Sequence, residues 1–119
     1  MELVWCYVTC ASSEEALAIG RAVVEARLAA CANLLPGLTS IYHWQGRIET
    51  GSETALVLKT RADLVDALTA KVRTLHSYSV PCVVALPIRG GNADYLAWLA
   101  SETVAPAEPR TDTSRTGSS

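Results

Sequence analysis

The stretch Cys31–Leu58, CANLLPGLTSIYHWQGRIETGSETALVL, carries two apolar and aromatic runs that meet at Gln45-Gly46. A two-residue connection with glycine where φ must be positive is a tight-hairpin signal. Arms of about fourteen residues reach roughly 45 Å at about 3.3 Å per residue. A chain of 119 residues cannot cover such arms with its own elements, so the ribbon predicts cover from further copies of the chain. Pro36-Gly37 interrupts the first arm as a bend, a bulge or an edge position, because proline donates nothing to a ladder. A rival register would turn at Gly51-Ser52 with shorter arms. Gln45-Gly46 is preferred because it carries Leu56-Val57-Leu58 back beside the first strand.

Working outward, Leu3 to Thr9 is a nearly continuous apolar run, suited to a central strand buried on both faces. Ser12 followed by Glu15 has the form of a capping box. The helix it opens presents Leu17, Gly20, Val24 and Leu28 as one stripe towards the sheet. Thr60 is expected to open a second helix, with Asp63 near its positive end and Leu64, Val65, Leu68, Val72 and Leu75 facing inward. Val80 to Ile88 reads as a fourth strand, and Gly90-Gly91-Asn92 feeds a third helix over Ala93 to Glu102. The order βαββαβ plus a C-terminal helix predicts an α+β protein, a ferredoxin-like split βαβ sandwich with strand order 4-1-3-2 and helices on one face. Residues 1–103 form the domain, and 104–119 read as a flexible polar tail.

Ten Lys and Arg stand against twelve Asp and Glu, a net charge of −2. That balance argues against nucleic acid as a partner. No run of eighteen apolar residues is present, so no helical membrane span is expected. The N-terminus has no basic region or cleavage site of a secretory signal, and the expectation is a cytoplasmic protein. The four cysteines, Cys6, Cys10, Cys31 and Cys82, lack paired spacing and default to small buried apolar residues.

Ala30-Cys31-Ala32-Asn33, Ser40 to Glu49, Leu58-Lys59-Thr60, His76-x-Tyr78-x-x-Pro81 and Asp94-Tyr95-Leu96-x-Trp98-Leu99 together resemble the CutA-type divalent-cation tolerance proteins. The similarity runs from about residue 3 to about residue 101. It implies a compact homotrimer of ferredoxin-like subunits, PII-like in build, that binds divalent metals with copper foremost and carries no enzymatic activity. This chain departs from the pattern at Ser77, where proline is common, and at Cys82, where glutamate is usual. It also has Val8 where some members carry cysteine, and Leu75 where a second histidine can stand.

Cys10, Cys82 and His76 form the sharpest candidate metal site. Strands one and four are expected to be antiparallel neighbours, so the end of one meets the start of the other. Two thiolates and an imidazole favour copper, with zinc second. The plainer reading makes Cys82 core, Cys10 a strand end and His76 a structural hydrogen-bonding group. His43 reads as a surface or interface residue, and Tyr42, Trp44, Tyr95 and Trp98 as interface aromatics. Glu49 and Glu53 share a strand face. Such a pair can serve as general acid and base, but no nucleophile stands near. The preferred reading places them with Lys59 in an inter-subunit cleft, as ion pairs or a hard-metal site. Gly90-Gly91-Asn92 reads as a chain reversal.

The expected function is therefore a non-enzymatic, trimeric divalent-cation-binding protein of metal tolerance. The alternative is a PII-like regulatory trimer that binds a small anionic ligand between subunits and acts through a protein partner. An acylphosphatase-like hydrolase would need an anion-cradling loop with Arg and Asn, and Arg89 and Asn92 follow the last strand, where they are poorly placed.

Overall fold

Gln45 and Gly46 both take positive φ, 52° and 78°, and close the hairpin between β2 (Cys31–Trp44) and β3 (Arg47–Arg61). The computed structural model describes residues 1–106, so most of the expected tail lies outside the described residues. Ser40 pairs with Gly51 and Thr39 with Ser52, which rules out the rival turn. The register shifts between Leu35 and Leu38, with Gly37 at φ 79°. Pro36-Gly37 is thus a bulge inside a continuing strand.

β1 (Leu3–Cys10) lies between β3 and β4 (Val83–Ile88), antiparallel to both. The sheet order is β2-β3-β1-β4, the ferredoxin-like order the sequence predicts. Side chains on β1 alternate as a pleated strand requires. Val4, Cys6, Val8 and Cys10 enter the core against α1 (Ser13–Glu25) and α2 (Val65–Leu75). Trp5 and Tyr7 face the other way, opposite Leu86 and Val84 of β4.

Five expectations shift. The buried stripe of α1 is Ala16, Ile19, Gly20 and Val23, whereas Leu17 is exposed. Small residues let the helix sit close: a Cβ on Gly20 would stand 3.1 Å from the Ala32 Cβ and 3.2 Å from a Leu56 methyl. Thr60 does not open a helix. It is the buried penultimate residue of β3, and its hydroxyl donates to the Leu28 carbonyl at 2.7 Å. A 3₁₀ turn over Ala62–Leu64 then leads into α2, whose last residue, Leu75, is exposed. β4 begins at Val83 rather than Val80, since the β1 ladder ends at the Val8–Val83 pair. Finally, α3 (Ala93–Ser101) does not join the other helices. Leu99 packs with Leu3 and Ala30 in a separate apolar cluster, and Tyr95 meets Cys31 and Lys59, so α3 covers one corner of the opposite sheet face.

Ala55 and Val57 of β3 are buried on that face, but Trp5 of β1, Val84 and Leu86 of the edge strand β4, and Tyr42 and Trp44 on the hairpin are all exposed. Contiguous apolar surface on this scale marks an interaction surface rather than a solvated one.

Candidate functional site

The start of α1 and the end of α2 converge beside Cys10, the last residue of β1. Ser12 caps α1 by accepting the Glu15 amide at 3.1 Å, which fixes Glu15 in the first turn. The Glu15 carboxylate then accepts from the Ala11 amide at 2.9 Å and from the Ser77 amide at 2.6 Å. His76 is the C-cap of α2, and its ring is fully enclosed. Its Nε2 lies 2.8 Å from the Thr9 carbonyl, and its Nδ1 accepts the Tyr78 amide at 3.1 Å. A carbonyl only accepts and an amide N–H only donates, so this is the Nε2–H tautomer with a lone pair on Nδ1.

Cys10 completes the group. One ligand atom each from Cys10, Glu15 and His76 lie within 4.8 Å of one another, and Nδ1 stands 3.9 Å from a Glu15 oxygen. Burial, reinforced by the Glu15 and Glu53 carboxylates, pushes the Cys10 thiol up to about 12. At neutral pH the group therefore holds a thiol, which a bound cation would have to deprotonate. Burial also works to raise the Glu15 carboxyl. The hydrogen bonds from Ala11 and Ser77 and the nearby His76 outweigh it, and the carboxyl falls below its ordinary value.

The donors suit a borderline or soft divalent cation. Sulfur, imidazole nitrogen and carboxylate oxygen are the zinc and copper repertoire. The Nε2 contact to Thr9 is the outer bond that a metal-holding histidine keeps. The two bonds accepted by Glu15 still leave it lone pairs. One obstacle stands: the Tyr78 amide already occupies Nδ1, and a cation taking that nitrogen must displace it.

Of the three residues expected from the sequence, the structure brings Cys10 and His76 together and leaves Cys82 apart. Cys82 lies just before β4, next to Val83, whose side chain packs against the helix-side core. Alternation therefore turns Cys82 to the other face, where its Sγ is 3.9 Å from the Tyr7 carbonyl. Glu15 takes the third place. The sequence marks it only as part of a capping box, and nothing in the local pattern shows that it also bridges to residue 77. His43 sits out on the hairpin opposite Ile48. Glu49 lies 3.8 Å from Arg47, while Glu53 accepts from the Ser40 and Tyr78 hydroxyls. Lys59 instead approaches Tyr95. Asn92 caps α3 by accepting the Asp94 amide, so the glycine loop is a chain reversal into a helix.

A four-stranded antiparallel sandwich with thiol, carboxylate and imidazole gathered at one strand end defines a small ferredoxin-like protein with a candidate cation site. The chain belongs to the CutA1 divalent ion tolerance protein family, whose sequence profile matches residues 4–102. It is 52% identical over 97 residues to the human protein CutA, covering 82% of this chain and 54% of that one. With the divalent-cation tolerance protein CutA of Thermus thermophilus it shares 49% identity over 96 residues, 81% of this chain and 93% of that one. The crystal structure of CutA1 from Oryza sativa superposes with a TM-score of 0.86 at 42% identity, over 89% of this chain and 97% of that one. The chain spans about half the length of several curated relatives it matches.

Proposed function

We propose that this protein is a non-enzymatic homotrimer that binds divalent cations in metal tolerance, with copper the favoured ion and zinc second. The observation that carries the reading is the convergence of Cys10, Glu15 and His76 within 4.8 Å. Cys10 supplies the soft donor, His76 offers Nδ1 once the Tyr78 amide withdraws, and Glu15 supplies charge. Family membership supports the tolerance role. The exposed apolar residues of that sheet face and of the hairpin support assembly, because further copies would cover both.

Native mass spectrometry of the intact protein with copper, with zinc and with buffer alone tests subunit number and metal stoichiometry together. The expected result is a trimer that takes up to one copper per chain, with uptake lost in Cys10→Ser and His76→Ala and kept in Cys82→Ser. A trimer whose copper uptake survives both of the first two substitutions would remove these residues as ligands. A monomer would remove the assembly.

A further inference from the structure

Residues 77–82 join α2 to β4 in neither helix nor strand. Their two leading amides are held by atoms of the candidate cation site. Ser77 N–H donates to Glu15 Oε2 at 2.6 Å, and Tyr78 N–H donates to His76 Nδ1 at 3.1 Å. Those two acceptors stand 3.9 Å apart. The His76 and Tyr78 rings also lie against each other, with centroids 4.7 Å apart. Further along, Pro81 has no amide N–H to donate.

The two acceptors differ in what they can share. A carboxylate oxygen has two lone pairs, so Glu15 Oε2 can keep the Ser77 amide while it serves a cation. The imidazole Nδ1 has a single lone pair, and Tyr78 holds it. His76 cannot present its other nitrogen instead, because Nε2–H donates to the Thr9 carbonyl at 2.8 Å and the ring is fully enclosed. His76 therefore serves a cation only by giving up the Tyr78 amide. A ligand that binds the folded state ordinarily tightens it. Here the ligating atoms themselves fasten the chain, so the sign reverses locally. The Tyr78 hydroxyl bond to Glu53 uses neither acceptor and remains as a pivot.

We propose that residues 77–82 form a cation-operated latch: His76 Nδ1 and Glu15 Oε2 hold it shut, and a cation that takes Nδ1 frees the Tyr78 amide and opens it. The inference rests on the cation reading above and adds its consequence, since occupancy of the site is then passed to the chain that leads into β4.

The test is amide-resolved hydrogen exchange, read by NMR on the intact, assembled protein with zinc, a closed-shell ion that leaves resonances sharp. Zinc uptake is measured on the same sample by indicator competition. Saturating zinc should speed exchange of the Tyr78 amide by roughly tenfold, about the worth of one hydrogen bond. The Glu15 amide, whose acceptor is the Ser12 hydroxyl, should exchange no faster than before. Magnesium, which favours all-oxygen sites, should change neither. Cys10→Ser should abolish the zinc effect, and the wild-type comparison of zinc with magnesium decides the matter if that variant fails to fold. Zinc uptake that leaves the Tyr78 amide as slow as before, or slower, overturns the latch while the cation reading stands with ligands other than Nδ1. Absence of zinc uptake overturns both.

Discussion

His76 and Tyr78 are bound ring to main chain: the Tyr78 amide donates to His76 Nδ1 across 3.1 Å. The same tyrosine's hydroxyl donates to Glu53 across 2.8 Å. One residue thus spans the nitrogen that a cation would take and the Glu53 carboxylate on the other face of the sheet. Anything that holds Tyr78 in place competes with a metal for His76. Tyr78→Phe releases the hydroxyl anchor and should tighten zinc binding by roughly threefold to tenfold, a fraction of the worth of a charge-assisted bond. Competition titration with a zinc indicator measures this, and unchanged affinity would show that the anchor exerts no pull on the amide.

Glu15 ties α1 to the segment after α2, and its carboxyl lies below the ordinary value of 4.5 in the folded state. A depressed folded value means that the unfolded chain binds the proton more readily. The stabilisation is therefore fully present above pH 4.5 and lost as pH falls through the lower folded value. Urea denaturation followed from neutral into acid should show stability falling across that window. Glu15→Gln should flatten this limb and lower stability at neutral pH by on the order of 1 kcal/mol.

Thr60 is wholly buried, and its hydroxyl satisfies the Leu28 carbonyl at 2.7 Å. Thr60→Val keeps the shape and strand preference but removes the donor, so it should cost about 1–2 kcal/mol. Chemical denaturation checks this, and a neutral result would mean that another donor reaches that carbonyl.

Gly20 faces the sheet with no room to spare, because the nearest obstacle to an added Cβ is Ala32, fixed to the β2 backbone. Gly20→Val should destabilise by roughly 1–3 kcal/mol through overpacking. The helix-propensity gain of replacing glycine, about 1 kcal/mol at most, cannot offset it.

Ile48 is 70% exposed and Ile41 72% exposed near the hairpin tip, where only another molecule can cover them. Ile48→Asp should reduce the solution mass measured by light scattering at micromolar concentration while leaving far-ultraviolet circular dichroism unchanged. An undiminished mass would place the contacts between copies elsewhere.

The hairpin and the strand order are legible from local pattern, and the sheet inferred from them already sets His76 near the end of β1. Gln45-Gly46 demands a turn, the apolar run at Leu3 demands a central strand, and the helix following each βα or ββα step leaves few ways to wind the sheet. The stripe of α1 is not legible. Leu17-Gly20-Val24-Leu28 and Ala16-Ile19-Gly20-Val23 are both sound helical stripes, about one residue apart in rotation. The choice falls to the set whose small residues permit close approach, and that depends on where β2 and β3 lie. Thr60 reads as a cap because threonine caps helices; that it instead feeds the Leu28 carbonyl depends on a contact 32 residues away.

What the sequence determined alone is whatever depends on neighbours along the chain: turn chemistry, strand alternation, caps and charge balance. Which donors share a site belonged to the tertiary structure. A one-residue step along a strand reverses the face, so Cys82 leaves the group that Cys10 and His76 form. The helix N-terminus packed against that strand end delivers Glu15 in its place. Spacing in sequence carries no term for that packing, which is decided only when the two layers close.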